Sequence, residues 1–199
     1  ASDVKNYRPV SLQPCVAKIF SKILDGRLRR WLSLFAPLNQ TQFGFQEGMS
    51  TIDAAIVLHT TLAYWRERHP KLYATFVDFS AAFDRIDREL LFRKMLGRGI
   101  PVRFVSVLRG MYTDTKAAVA VGNEVSTSFN IEAGVKQGDP LSPLLFCLYI
   151  DDLEEALKIP DVPGLPLGIK SIRIILFADD VVILSAWRHE MEGYLKRLE

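Results

Sequence analysis

The chain is poor in the residues that build metal cages and cross-links, with two cysteines and three histidines in 199 residues. Cys15 and Cys147 lack CxxC spacing and sit in apolar sequence, so they read as buried thiols of a reducing compartment. His59, His69 and His189 are scattered and form no recognisable ligand set with the cysteines, which argues against zinc. No apolar run approaches the ~18 residues needed to span a bilayer, and no signal peptide opens the sequence. A net charge of +2 is too small to argue for a nucleic-acid partner by itself. Internal repeats and low-complexity segments are lacking too. With 49% apolar and 24% charged residues, the chain is globular and long enough for one substantial core or two closely associated subdomains. It begins on Ala1 and stops within a helical pattern, Trp187 to Glu199, so it reads as a piece of something longer.

Charge is unevenly spread. Residues 1–35 hold seven basic groups (Lys5, Arg8, Lys18, Lys22, Arg27, Arg29, Arg30) against Asp3 and Asp25, an excess of five. That is either a phosphate-facing patch or a solvated helix face. Gln13 to Phe35 has helical spacing of apolar residues, with Trp31 and Phe35 read as core, and Pro37 stops it. Ser50-Thr51-Ile52-Asp53 has the form of a capping box opening a helix to about Arg68. Leu72 to Phe79 reads as a strand ending on Asp78, followed by a small helical segment, Ser80 to Asp84. Asp87 caps a helix ending near Gly97, and Pro101 opens another through Arg109. Lys116 to Val121 and Val125 to Ala133 read as a hairpin around Gly122-Asn123. An apolar helix follows from about Ser142 to Lys158, with Asp151 and Asp152 on its solvated side. Helices alternating irregularly with an antiparallel sheet make the fold class α+β.

The chemistry is concentrated in acids. Asp179 and Asp180 interrupt an otherwise apolar run, Ile172 to Leu184, whose flanks read as two short strands with the acids in or beside a tight turn. Unpaired charges against an apolar sheet are expensive, and a divalent cation offsets that cost. Asp78 ends another apolar strand, and neighbouring strands would bring it beside the hairpin acids. Adjacent strand residues face opposite ways, so Asp179 and Asp180 diverge unless the turn redirects one. Asp78 and Asp179 are therefore assigned as bridging ligands, with Asp180 secondary. Oxygen-rich acid sites suit Mg2+, with Mn2+ possible, and two such ions about 3.5–4 Å apart stabilise in-line phosphoryl displacement.

Three segments in order carry a family resemblance: Phe76-Val77-Asp78-Phe79-Ser80-Ala81-Ala82-Phe83-Asp84, Gly134-Val135-Lys136-Gln137-Gly138-Asp139-Pro140-Leu141-Ser142-Pro143, and Phe177-Ala178-Asp179-Asp180. Together with Asn6 to Leu12 and Gln42-Phe43-Gly44-Phe45 through Ser50-Thr51, they resemble reverse transcriptases of the non-LTR (LINE-like) branch, akin to group II intron enzymes. The resemblance covers essentially the whole chain. It implies a right-hand polymerase fold of fingers and palm, with an antiparallel sheet packed on helices and the thumb absent from this segment. The expected division is fingers 1–70, palm 71–87, fingers again 88–138 and palm 139–199. It also implies an RNA template, a DNA or RNA primer and dNTPs as partners, no membrane, an additional thumb and a possible endonuclease domain. The location would be intracellular, and nuclear for a eukaryotic retroelement.

By that resemblance Asp78, Asp179 and Asp180 are catalytic, and Asp78, Asp179 and the Phe79 carbonyl hold metal. Phe83 falls at an aromatic steric gate that leaves no room for a 2′-hydroxyl. Gln137 and Gly138 match residues contacting the incoming nucleotide, Arg8 matches a fingers arginine near its triphosphate, and Lys136 and Phe45 are candidate template or primer contacts. Phe177 stands where the family often has Tyr, Gln46 where it usually has Arg, and Met49 at an often basic position. Blander readings stand beside these: Asp84 as a helix-terminal or ion-pairing acid, Lys136 and Asp139 as turn residues, Phe43 and Phe45 as core anchors. The rival functions are a domesticated nucleic-acid or protein binding module without polymerase activity, and an RNA-dependent RNA polymerase. Intact acids at 78, 179 and 180 argue against the first and Phe83 against the second.

Overall fold

A computed structural model describes residues 9–160 and 162–198. Arg8 and the start of its motif lie outside the described residues. In chain order the elements are α1 (Cys15–Phe35), α2 (Thr51–Arg66), β1 (Tyr73–Asp78), α3 (Arg88–Gly97), α4 (Val102–Tyr112), β2 (Lys116–Ala117), β3 (Ala120–Val121), β4 (Glu124–Val125), β5 (Phe129–Asn130), α5 (Ser142–Ile150), α6 (Leu153–Ala156), β6 (Leu165–Leu167), β7 (Lys170–Ile172), β8 (Ile174–Phe177), β9 (Asp180–Ser185) and α7 (Arg188–Leu198). They fall into two compact units: one takes in the chain through Ala36 together with Ala81–Tyr149, the other Pro37–Ser80 with Ile150–Glu199.

In the first unit, Leu28 of α1, Leu91 and Met95 of α3, Leu108 of α4 and Leu144, Leu145 and Leu148 of α5 are buried. Ile86 joins them from the connection before α3. Asp87 caps α3 as its sequence predicts, accepting from the Leu90 N–H.

The second unit is built on an antiparallel sheet in the order β1-β9-β8. Central strand β9 is covered on both sides, so it reads as a continuous apolar run instead of alternating. On one face Ile175, Val182 and Leu184 cluster with Phe43 and with Ala54, Val57, Leu58 and Trp65 of α2. On the other, Thr75 Oγ1 donates to the Met191 sulfur of α7. The predicted capping box starts α2, with Ser50 and Asp53 bonding reciprocally.

Several sequence expectations are corrected. Residues 80–85 form turns, not a helix, because Ala81 takes a left-handed φ of 53°. The helix expected over Ser142 to Lys158 breaks at Asp151, which is buried and accepts the Asn39 N–H, not on a solvated side. The hairpin around Gly122-Asn123 is interrupted: β3 pairs with β4 and β2 with β5, with no ladder between. Phe35 is exposed instead of core, as are Val16, Ile19 and Ile23, because α1 buries the stripe through Ser21, Leu24, Asp25, Leu28 and Leu32. Phe43 is a core anchor, but Phe45 is exposed.

Cys15 is exposed as well, whereas Cys147 is buried. Desolvation pushes the Cys147 thiol up to about 12. At pH 8 an alkylating reagent should therefore modify Cys15 in the folded protein and reach Cys147 only after denaturant is added, as mass spectrometry would show. Labelling of both at equal rates would contradict this burial.

Candidate active site

The three acids of interest all belong to the second unit. Register places Asp78, the last residue of β1, directly opposite Asp180, the first of β9. Paired antiparallel residues have Cα atoms about 5 Å apart and side chains on one face, so these two carboxylates are neighbours. Phe177 pairs with Asp180 from the other side, leaving Ala178-Asp179 as a two-residue hairpin loop. Ala178 has a φ of 55°, which is the conformation the first loop residue of a tight hairpin needs. Asp78 and Asp180 are exposed and Asp179 is half-buried, so desolvation costs less than the apolar flanks suggest. Phe79 follows β1 at once and is half-buried.

Among the described residues, none of these acids makes an ion pair or a side-chain hydrogen bond, and no three His, Cys, Asp or Glu side chains converge as a formed metal cage. Asp180 pairs with Asp78 across the ladder, whereas Asp179 lies in the hairpin loop, where strand alternation does not fix its direction. The donor set is nevertheless all carboxylate oxygen, which fits a hard divalent ion.

The acidic turn is fastened by the Gln42-Phe43-Gly44 segment. Gln42 is fully buried, and its Oε1 accepts from the backbone N–H groups of Gly44 at 2.7 Å and Ala178 at 3.1 Å. On either side, Phe43 N–H donates to Leu176 O and Leu176 N–H to Thr41 O, adding this loop alongside β8 as a parallel bridge. A Cβ on Gly44 would lie 2.2 Å from the Ala178 nitrogen. Only glycine fits there. A glutamine two residues before a glycine in an aromatic loop was the available signal, but its partner lay 136 residues away.

Phe83, Lys136, Gln137 and Gly138 lie in the first unit, and Phe45 in the second. Phe83 stacks on Phe146 of α5, rings 4.9 Å apart and 9° from parallel. Gly134 N–H donates to Ile86 O and Val135 N–H to Phe83 O, which brings the loop onto the segment after Phe83. Gly134 has a φ of 80°, and a Cβ there would meet the Asp84 backbone at 2.7 Å. Arg88 holds the loop's entry through the carbonyls of Ile131, Ala133 and Gly134, and that of Tyr112. Burial lowers its pKa, but a guanidinium stays charged. Gln137 donates to both Asp84 oxygens at 2.9 Å, and its carbonyl accepts the Ser11 N–H. Gly138 is exposed with a φ of 99°. Lys136 reaches the Met111 carbonyl at 3.4 Å, and buried Asp139 accepts from Ser21 and the Leu141 N–H. Asp84 accepts a side-chain hydrogen bond and makes no ion pair among the described residues.

Comparison with known proteins defines the class. The profile described as reverse transcriptase (RNA-dependent DNA polymerase) matches residues 2–199, and the chain belongs to that family. It is 31% identical over 190 residues to the probable RNA-directed DNA polymerase from transposon X-element of Drosophila melanogaster, covering 94% of this chain and 20% of that protein. It is 28% identical over 181 residues to the Pol polyprotein of the type-1 retrotransposable element R2 of Popillia japonica, covering 90% of this chain and 25% of that protein. The non-LTR, LINE-like reading therefore stands, and the chain spans about a quarter or less of the length of these curated relatives.

Among solved structures, telomerase from Candida albicans in complex with a TWJ fragment of telomeric RNA matches with a TM-score of 0.61 at 14% identity, over 91% of this chain and 32% of that one. Apo telomerase from Candida tropicalis gives 0.59 at 14% identity, over 92% and 36%. These similarities show the fold, an α+β polymerase architecture. Reverse transcriptases as a family use divalent metal ions.

The closeness of the loop and the acidic turn is directly testable. Gly44→Ala should lower stability by about 1–3 kcal/mol through overpacking against the turn. Gly26→Ala, with nothing within 4 Å on helix α1, should instead raise it by about 0.5–1 kcal/mol. Urea unfolding measures both, and an unchanged Gly44→Ala protein would refute the close approach.

Proposed function

We propose that this chain is the polymerase core of an RNA-directed DNA polymerase of a non-LTR retroelement, extending a DNA or RNA primer on an RNA template with dNTPs. The observation that carries the reading is the strand register that sets Asp78 beside the Asp179-Asp180 turn in a chain of this family. Asp78, Asp179 and the Phe79 carbonyl would hold a pair of Mg2+ ions, or Mn2+ in their place, with Asp180 completing the acids. When bound, such ions supply charge stabilisation to an in-line displacement at the α-phosphorus of the incoming nucleotide.

The protein's own residues do the positioning. Phe83, steadied by the Phe146 ring, would exclude a 2′-hydroxyl. Gln137 and Gly138 would contact the nucleotide, and Arg8, outside the described residues, its triphosphate. Lys136 and Phe45 remain candidate contacts to template or primer. Fingers over 1–70 and 88–138, and palm over 71–87 and 139–199, are the functional labels we assign. The complete protein would add a thumb, and a eukaryotic element would place it in the nucleus. Among the described residues no helix is long and apolar enough to cross a membrane.

Primer extension on an RNA template tests the assignment in the full-length protein. Asp179→Ala should lower incorporation by about two orders of magnitude or more, the scale of losing several kcal/mol of charge stabilisation. Phe83→Ala should narrow the preference for dNTPs over NTPs by about 10- to 100-fold. Incorporation that survives loss of Asp179 would reject the metal role, and an unchanged preference would reject the gate.

A further inference from the structure

Asp84 is exposed and follows Phe83 immediately. Both of its carboxylate oxygens accept from one donor, Nε2 of Gln137, each at 2.9 Å. Stability gives little reason for this pairing, since an exposed side-chain bond replaces equally good bonds to water. The backbone of the loop is already pinned without it, through Val135 to Phe83, Gly134 to Ile86 and Ser11 to Gln137. What the Asp84 contact adds is the orientation of a single amide.

An ionised carboxylate accepts hydrogen bonds and cannot donate, whereas a glutamine amide has one donor end and one acceptor end. Beside Asp84, Gln137 must therefore turn its NH2 inward and present Oε1 the other way. Without the acid, the two amide orientations would be nearly equivalent. Among the described residues Oε1 takes no hydrogen bond.

We propose that Asp84 is a positioning residue that fixes Gln137 as a hydrogen-bond acceptor toward the incoming nucleotide. The inference rests on the nucleotide-contacting role given to Gln137 above. It also restricts that role: the group met by Oε1 is a donor on the nucleotide, a hydroxyl or amino group, and not a phosphate oxygen, which only accepts. Asp84 itself touches no substrate. Its effect is to remove the wrong rotamer before the nucleotide arrives, so less ordering remains to be done on binding.

The experiment is steady-state primer extension by the full-length protein with Asp84→Ala, Gln137→Ala, the double variant and Asp84→Asn. Asp84→Ala should raise KM for dNTP about three- to tenfold, the net worth of one hydrogen bond, while kcat and primer-template affinity stay at the parental level. The double variant should be no worse than Gln137→Ala alone, because both changes remove the same interaction. Asp84→Asn, which keeps an acceptor oxygen, should recover part of the loss. A parental KM in Asp84→Ala, or effects that multiply in the double variant, would overturn the proposal. So would a lowered kcat at unchanged KM, the mark of a merely structural acid. An unchanged KM in Gln137→Ala would overturn it together with that residue's nucleotide role, while loss of extension in Asp179→Ala would leave the polymerase reading standing.

Discussion

The pairing of β1 with β9 sets the geometry of the acids. Because side chains alternate along a strand, a slip of one residue would set Asp78 opposite a different partner and on the wrong face. The sheet resists that slip through burial. Strand β9 is covered on both sides, with Val181 and Ile183 buried on one face and Leu184 on the other. Sliding the strand by one position would carry the Asp180 carboxylate toward the interior, and burying an unpaired charge is far costlier than exposing a valine. The apolar run around the acids thus keeps them at the accessible end of the sheet.

Within each unit, loops are held by side chains that bond to backbone. Gln42 does so for the acidic turn, with one oxygen serving two N–H groups. Arg88 does so at the entry to the Gln137 loop, spreading one guanidinium over four carbonyls. Gly44 and Gly134 permit the close approaches these bonds require. Buried polar groups of this kind confer definition on segments that lack a regular ladder of their own. On the proposed polymerase reading this definition matters, since reacting groups lose efficiency when displaced by an ångström.

Much of this was legible in the sequence because it is local. Apolar runs, the Ser50-Asp53 box and the Asp87 cap name their elements through neighbouring residues, and the acidic hairpin announces itself by two charges in an apolar run. The failures have a physical pattern. The short helix after Asp78 was lost to one left-handed residue, Ala81, which no composition signal marks. The break before α6 and the burial of Asp151 depend on Asn39, 112 residues away. The exposed stripe of α1 misled because helical spacing identifies an apolar face without saying whether anything covers it. Gln42 stood only as part of a motif, and Asp84 as a helix-terminal or ion-pairing acid, for the same cause: their partners, Ala178 and Gln137, are distant in sequence and meet them only in the fold.

The central claim is that the end of β1 and the acidic turn share bound cation. Replacing Mg2+ with Fe2+ under reducing, aerobic conditions generates hydroxyl radicals that cut the backbone near the ion. The account predicts two sets of cuts, one near residue 78 and one near residues 179–180, both suppressed by excess Mg2+ and both lost in Asp78→Asn. Cuts at the turn that persist without the Asp78 carboxylate would contradict it.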